Sequence, residues 1–157
     1  MILSVKDSNQ FIPQALKSMQ NWCAWKLEQR KGKPTKVPYQ VNGIRASSTD
    51  RNTWTSFEAI SELLSTDSQY NGHGFMVSDD IVFIDVDHCI SDDGIIDQRG
   101  ADILSAFPLS YAEISQSGNG LHILTRGLLP RNCNKRKHGV EMYYSARFCD
   151  INVNAIQ

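Results

Sequence analysis

Ile81-Val82-Phe83-Ile84-Asp85-Val86-Asp87 is the stretch of sequence that decides both the fold and the chemistry. Its apolar, β-forming start predicts a strand, on which successive side chains point to opposite faces. Ile84 and Val86 then face the core, whereas Asp85 and Asp87 project together from the other face. Two neighbouring carboxylates repel each other, and a divalent cation such as Mg²⁺ or Mn²⁺ removes that cost. The stretch predicts a metal-assisted phosphoryl-transfer site; the alternative is a solvent-facing edge with two ordinary aspartates.

Strand and helix patterns continue on both sides of this stretch. Further β-forming segments lie at 22–27, 36–40, 74–77, 111–115, 121–124, 140–144 and 147–153. Helical patterns begin at residue 8 or 9, at Thr55, and around Ala101 before Pro108; Thr55-x-x-Glu58 matches a capping box. Strands with only a few helices between them predict an α+β sandwich with a mainly antiparallel sheet. No linker divides the chain, so we expect a single domain over residues 1–157.

Turn signals predict how neighbouring strands pair. Ser78-Asp79-Asp80 separates 74–77 from 81–87, and these two segments are expected to pair. The segments at 111–115 and 121–124 are expected to pair across 116–120, and the last two segments to form a final hairpin. Pro38 lacks a backbone donor, which places 36–40 at the edge of a sheet.

Composition excludes several classes of protein. Of the 157 residues, 41% are hydrophobic and 21% charged, which is typical of a globular chain and not of a disordered one. No apolar run approaches the roughly 20 residues that cross a bilayer, and the N-terminus lacks the pattern of a secretory signal. We therefore expect a cytoplasmic protein without a membrane partner.

The four cysteines form no Cys-x-x-Cys pair, so free and mostly buried thiols are the expected state in a cytosolic protein. A zinc site is the weaker alternative, because no short ligand pair would nucleate it. Its ligands would be Cys89, Cys133, His138 and Cys149.

Charge is distributed unevenly, although the net charge is only -1. Residues 26–36 carry five basic side chains and one acid, and residues 131–137 carry four basic side chains. Between them, residues 79–102 contain eight aspartates and one arginine. Basic segments around an acidic centre suit a site that holds metal ions together with polyphosphate, and three unequally charged solvated loops are the alternative.

His122 follows a turn rich in serine and glycine, Ser115-x-Ser117-Gly118-x-Gly120. Such a turn can present backbone N–H groups to phosphate oxygens, and the histidine then lies on the strand that leaves it. These residues are therefore candidates for nucleotide binding, against the alternative of a structural histidine. The turn is not a Walker A loop, because no Gly-Lys-Ser or Gly-Lys-Thr follows.

A third acid would complete a metal shell, and two candidates stay open. Glu141 lies within the apolar segment at 140–144, and Glu113 lies in another predicted strand; we favour Glu141. Basic candidates for contact with triphosphate or template are Lys135, Arg136, Lys137, Arg147 and Lys36. Trp22, Trp25 and Trp54 are expected to pack rather than to stack on bases.

These segments together resemble the primase–polymerase domains of phage and plasmid replication proteins, within the archaeo-eukaryotic primase superfamily. The resemblance covers about residues 20–148 in the family order and rests on NWCAWKLEQRKGKPTKVPY (21–39), RASSTDRNTW (45–54), GHGFMVS (72–78), IVFIDVDHC (81–89), YAEISQSGNGLHIL (111–124) and KRKHGVEMYYSARF (135–148).

The resemblance implies a sheet-centred core related to RNA-recognition modules and a two-metal nucleotidyl transfer. Asp85, Asp87 and Glu141 would hold two Mg²⁺ or Mn²⁺ ions, and His122 would bind the phosphates of the incoming nucleotide. The implied partners are a DNA template and primer, a dNTP or NTP, and often a helicase. The family also implies a further β-forming stretch after Phe148, where this sequence reads CDINVNAIQ (149–157), so a truncated C-terminus is one expectation.

Two other functions stay open at the level of sequence. One is a non-catalytic DNA-binding or origin-recognition module on the same fold, whose DNA binding would need no metal. The other is a metal-dependent nuclease, for which Tyr143 or Tyr144 would be a candidate nucleophile.

Overall fold

The computed structural model describes residues 12–130, 137–152 and 156. Its helices are α1 (Gln14–Lys17), α2 (Phe57–Thr66) and α3 (Gln98–Ala106), with a 3₁₀ turn at Arg51–Thr53. Its strands are β1 (Trp22–Arg30), β2 (Lys33–Tyr39), β3 (Gly72–Val77), β4 (Ile81–Val86), β5 (Tyr111–Ile114), β6 (Leu121–Arg126), β7 (Val140–Tyr143) and β8 (Arg147–Ile151).

The strands form two four-stranded sheets, with the orders β2-β1-β3-β8 and β5-β6-β4-β7. Every pair of neighbouring strands in these sheets is antiparallel. The predicted α+β class and antiparallel pairing are therefore confirmed, and the arrangement is consistent with a core related to RNA-recognition modules. Where one sheet was expected there are two. The edge position predicted for the proline-containing β2 is also confirmed.

Two of the predicted strand pairings are wrong. β3 pairs with β1 and β8, whereas β4 pairs with β6 and β7, so the 78–80 turn joins strands of different sheets. Likewise β7 and β8 belong to different sheets and form no hairpin. Strands β3 and β4 are apolar along nearly their whole length and almost entirely buried. Such strands are typical of a sheet interior, where each needs two neighbours, and this requirement overrides the local turn signal.

The predicted start of α2 is displaced by one residue. Its N-cap is Ser56, whose hydroxyl accepts a hydrogen bond from the Ala59 backbone N–H at 3.2 Å. Thr55 instead pairs with Trp22 through two backbone hydrogen bonds of 2.9 and 3.0 Å. Thr55 therefore forms an isolated antiparallel bridge with Trp22. Ser56, the next residue, supplies the oxygen that caps α2.

Contacts divide the chain into two compact units, each discontinuous in sequence. The first contains β4, β5, β6, β7 and α3, and the second contains β1, β2, β3, β8, α1 and α2. The chain thus has no single break point, and a single domain over residues 1–157 stays a prediction.

Each unit buries an apolar layer. In the first unit Ile84, Val86 and Ile123 are almost completely buried, and Ile103 and Leu104 of α3 pack against this layer. In the second unit Trp22 is completely buried, and its ring meets Phe57 and Phe75 edge to face at centroid distances of 4.9 and 5.1 Å. The packing role predicted for Trp22 is confirmed.

Two further predictions from composition concern the state of the cysteines and the presence of membrane-spanning segments. Within the described ranges Cys23 and Cys89 are free and buried, as expected; Cys149 is buried as well, and Cys133 lies outside these ranges. Burial raises the pKa of the Cys89 thiol, with Asp97 as the next cause, so this side chain packs as a neutral group. None of the helices described here has the length and apolar character needed to cross a membrane.

Candidate functional site

Four polar side chains form a row across the first unit's sheet. Glu113 pairs with His122, His122 with Asp85, and Asp85 with Glu141, on the adjacent strands β5, β6, β4 and β7. Directly opposed residues of antiparallel strands project from the same face. The alternating residues Ile84, Ile123 and Met142 belong to the apolar core on the other face. The row therefore collects one imidazole and three carboxylates on the face opposite the core.

Asp85 and His122 lie close together in the middle of the row. Asp85 Oδ1 is 3.9 Å from His122 Nε2, and their side chains are 19% and 10% exposed. The edge of the Phe83 ring also meets the imidazole, at a centroid distance of 5.2 Å. A carboxylate and a ring nitrogen are thus held side by side with limited access to water.

Glu113 is completely buried and accepts hydrogen bonds from several directions. Its Oε1 lies 3.1 Å from His122 Nδ1, and its Oε2 accepts the Tyr111 hydroxyl proton at 2.7 Å. The Asn152 backbone N–H donates to both oxygens, at 2.9 and 2.8 Å. A buried carboxylate is costly unless it is hydrogen-bonded, and here four such contacts stabilise it.

Asp87 follows the end of β4, which finishes one residue earlier than predicted, at Val86. Its backbone N–H still donates to the Gly139 carbonyl at 2.8 Å, so the pairing with the β7 side continues to this residue. If the alternation of side chains along β4 continues to this residue, Asp87 projects from the same face as Asp85. The Asp87 side chain is half-buried.

Arg99 of α3 holds this end of β4 in place, and the sequence reading missed it. Its guanidinium donates to the carbonyls of Asp87 at 2.6 Å, His88 at 3.1 Å and His138 at 2.6 Å. His88 has a positive φ of 50°, so the clamp fixes a backbone conformation that non-glycine residues seldom adopt. The sequence does mark Arg99 as the one basic residue in an aspartate-rich segment. The neighbouring sequence, however, does not indicate that its partners are backbone carbonyls.

The serine- and glycine-rich turn lies directly against the end of β4. The carbonyl of Asn119 accepts hydrogen bonds from the backbone N–H groups of Cys89 and Ile90, at 2.9 and 3.0 Å. A Cβ on Gly120 would lie 2.7 Å from the Val86 carbonyl oxygen, which shows how closely the two backbones approach. The turn therefore packs against the end of the strand that carries Asp85.

Within the turn, several of the predicted phosphate donors are engaged internally. The Gly118 N–H donates to the Ser115 carbonyl at 2.9 Å, and the Gly120 N–H donates to Ser115 Oγ at 3.1 Å. The Ser117 hydroxyl donates to Asn119 Oδ1 at 2.6 Å. Gly118 has a φ of +81°, which favours glycine at this position. Phosphate binding by these residues stays a prediction.

Glu141 is half-buried on β7, directly opposite Asp85. The hydroxyl of Tyr143 donates to its carboxylate through a short hydrogen bond. Across residues 12–130, 137–152 and 156, no three His, Cys, Asp or Glu side chains are close enough together to form a ready metal site. The acidic residues therefore share a face without forming a closed cage.

The remaining basic candidates lie elsewhere in the chain. Lys137 is exposed, and its backbone bonds to Val140; Lys135 and Arg136 are outside the described residues. Lys36 and Arg147 belong to the second unit. There Lys36 Nζ lies 2.7 Å from the buried Asp150 carboxylate and 5.5 Å from the centre of the Trp25 ring. Lys36 thus has a structural role, and its contact with nucleotide stays a prediction.

Comparison with known proteins gives one clear relative. A protein described as a DNA primase-polymerase, from Nitratiruptor phage NrS-1, is 38% identical to this chain over 146 residues. The aligned region makes up 87% of this chain but only 20% of the phage protein. No family model matches the chain. The match confirms the resemblance to phage primase–polymerase domains that the motifs predicted.

Proposed function

We propose that this chain is the nucleotidyltransferase domain of a DNA primase–polymerase and that Asp85 and Asp87 are its catalytic carboxylates. The observation that carries the proposal is the row of Glu113, His122, Asp85 and Glu141 beside the serine- and glycine-rich turn. The phage relative carries the name of this activity. Because the chain spans 20% of that relative, activity, substrates and partners are all part of the proposal.

The chemistry of the carboxylates fits Mg²⁺ or Mn²⁺. These ions prefer oxygen ligands, and Mg²⁺ is usually bound by one or two carboxylates together with substrate phosphates and water. Asp85 on β4 and Asp87 just beyond its end would supply such carboxylates. When bound, two such ions would activate the attacking hydroxyl and stabilise the charge on the leaving pyrophosphate.

The row also favours Glu141 over Glu113 as the third acid. Glu141 is half-buried and lies directly opposite Asp85, so its carboxylate projects from the same face at the neighbouring position. Glu113 is completely buried and already holds His122, Tyr111 and the Asn152 backbone. Replacing those contacts by a metal would leave several buried donors unsatisfied.

His122 is proposed to bind the phosphates of the incoming nucleotide through Nε2. This nitrogen lies on the Asp85 side of the ring, so a phosphate held near the aspartates would lie within its reach. The neighbouring turn adds the hydroxyls of Ser115 and Ser117. Lys36, Lys137 and Arg147 are proposed further contacts to triphosphate or template.

A DNA template with its primer and a dNTP or NTP are the proposed substrates, and a helicase is a proposed partner. Replication of a phage, plasmid or other mobile element is the proposed setting, by analogy with the phage relative. The proposed location is the cytoplasm of a bacterial or phage-infected cell.

The test is primer extension by the chain on a primed DNA template with dNTPs and Mn²⁺. We expect the wild-type chain to extend the primer and the Asp85→Asn and Asp87→Asn variants to lose extension by about a hundredfold or more. Asp80→Asn is the matched control, since it removes an acid at the other end of β4 whose partner is the exposed Arg126 at 3.4 Å. Its extension should match the wild type.

Other outcomes separate the competing functions. Extension by Asp85→Asn at the wild-type rate contradicts the proposed site. No incorporation by the wild-type chain, with DNA binding that needs no metal, favours a non-catalytic DNA-binding module. Shortening of the primer or template in place of extension favours a nuclease, and Tyr143→Phe and Tyr144→Phe then test the nucleophile.

A further inference from the structure

We infer that Glu113 is a positioning residue that holds the imidazole of His122 by Nδ1 and thereby directs Nε2 toward Asp85 and the proposed phosphate. The distance between Glu113 Oε1 and His122 Nδ1 is 3.1 Å, and Glu113 is completely buried. The consequence for nucleotide binding rests on the proposed function, whereas the placement of the proton on Nδ1 does not.

The hydrogen-bond donors around Glu113 decide the direction of the contact with His122. The Asn152 backbone N–H can only donate to this carboxylate, at 2.9 and 2.8 Å, and the Tyr111 hydroxyl donates to its Oε2 at 2.7 Å. Because both oxygens of Glu113 accept from these donors, the inference places the proton shared with His122 on Nδ1. The imidazole is thereby oriented with Nδ1 toward Glu113 and Nε2 toward Asp85.

The orientation has a chemical consequence at the site. A ring held at Nδ1 by Glu113 keeps Nε2 directed toward Asp85, which is where the proposed phosphate would bind. Second carboxylates that orient a functional histidine in this way are common at enzyme sites, where their role is to fix the ring and its protons.

Glutamine at position 113 would reverse the direction of the contact. Its single carbonyl oxygen is needed by Tyr111 and Asn152, so its amide group would face His122 and donate to Nδ1. Glu113→Gln thus keeps the size of the side chain but removes both the proton from Nδ1 and the negative charge. Tyr111→Phe is the matched control, because it deletes another donor to Glu113 and leaves the carboxylate and the imidazole in place.

The experiment is nitrogen NMR of the histidine side chains in the full chain, with the His122 signal identified by its loss in His122→Gln. We expect a protonated Nδ1 on His122 in the wild type and in Tyr111→Phe, and an unprotonated Nδ1 in Glu113→Gln. An unprotonated Nδ1 in the wild type overturns the inference, and this result needs no variant to fold. A protonated Nδ1 in a folded Glu113→Gln variant overturns it as well.

The second measurement is the KM and kcat of primer extension for the same variants. Glu113→Gln should raise KM for the dNTP about tenfold or more, with a smaller effect on kcat, since the weakened bond lies on the nucleotide phosphates. Tyr111→Phe should change KM by about threefold or less. An unchanged KM in Glu113→Gln overturns the role in nucleotide binding. If the wild type extends no primer, the proposed function fails while the NMR result on Nδ1 still decides the orientation.

Discussion

Asp85 Oδ1 and His122 Nε2 lie 3.9 Å apart on neighbouring strands, and Glu113 holds the other nitrogen of the same imidazole at 3.1 Å. Side-chain exposure rises along this line, from 0% at Glu113 to 10% at His122 and 19% at Asp85. Under the proposed function, Glu113 at the buried end of this line positions the imidazole. The nucleotide would bind at the more accessible end, beside Asp85. Four predictions follow from the groups around this line and from the second unit.

Arg99 is expected to support the site through its hydrogen bonds to backbone carbonyls, beside a longer ion pair of 3.7 Å with the half-exposed Asp97. Arg99→Gln removes the donors to Asp87, His88 and His138, so we expect primer extension to fall about tenfold and stability to fall by roughly 1–3 kcal/mol. Kinetics and urea unfolding measure the two effects. Arg126→Gln serves as control, because its ion pair with Asp80 is exposed and should contribute about 0.5 kcal/mol or less. Equal behaviour of the two variants would show that the clamp is unimportant.

Gly120 should tolerate no Cβ. In Gly120→Ala the new carbon would lie 2.7 Å from the Val86 carbonyl oxygen, which forces the turn away from the end of β4. We expect a loss of about 1–3 kcal/mol in unfolding free energy and a parallel loss of nucleotide binding. Gly127→Ala is the control, since its nearest neighbour is the Val82 side chain at 3.9 Å. Wild-type stability in Gly120→Ala would contradict the close approach.

Lys36 and Asp150 form a partly buried ion pair of 2.7 Å in the second unit. Lys36→Met leaves the Asp150 carboxylate buried without this counter-charge, and we expect it to cost roughly 3 kcal/mol. Adding Asp150→Asn removes the uncompensated buried charge, so the double variant should recover much of the lost unfolding free energy. Urea unfolding of both single variants and the double variant measures the coupling. Additive effects of the two changes would refute a structural pair.

His73 should make the protein sensitive to acid. Burial, with a smaller contribution from Lys17, lowers the pKa of His73 from 6.5 to about 4. The unfolded chain therefore binds a proton between these values that the folded chain does not, and stability falls as the pH drops from about 6.5 to about 4. The loss is at most about 3 kcal/mol.

Unfolding of His73→Gln at a series of pH values tests this expectation. Glutamine retains a hydrogen-bonding group for Ser61 Oγ, which lies 2.9 Å from His73 Nε2, and it should flatten this part of the pH profile. His138→Asn is the control, because His138 is exposed and asparagine tolerates its positive φ of 54°. The expectation is wrong if His73→Gln and the wild type lose stability in parallel.

Sequence alone was sufficient for most of the strands and for the pairing of β5 with β6, but not for the pairings between segments distant in sequence. The alternation around Asp85 and the turn before His122 are local patterns, and both are present as predicted. The pairings of β4 with β7 and of β3 with β8 join segments that are distant in sequence. The turn residues at 78–80 carry no information about these long-range pairings. The pairings depend on the burial of both strands within the folded chain.

The supporting residues of the site were beyond sequence reasoning for a similar reason. Glu113 was weighed as a metal ligand because its type fits, but its role depends on Tyr111, His122 and Asn152 meeting around it. The hydrogen bonds of Arg99 at the end of β4 go to backbone carbonyls, and backbone carbonyls leave no trace in side-chain patterns. Residue type therefore indicates the proposed chemistry, whereas tertiary packing determines which side chains meet.

Anomalous diffraction from a crystal of the chain with dATP and Mn²⁺ tests the central claim most directly. The account predicts manganese peaks within bonding distance of the Asp85 and Asp87 carboxylates, with the triphosphate beside His122 Nε2. Manganese bound away from both aspartates, or a triphosphate on the far side of the sheet from His122, would contradict it.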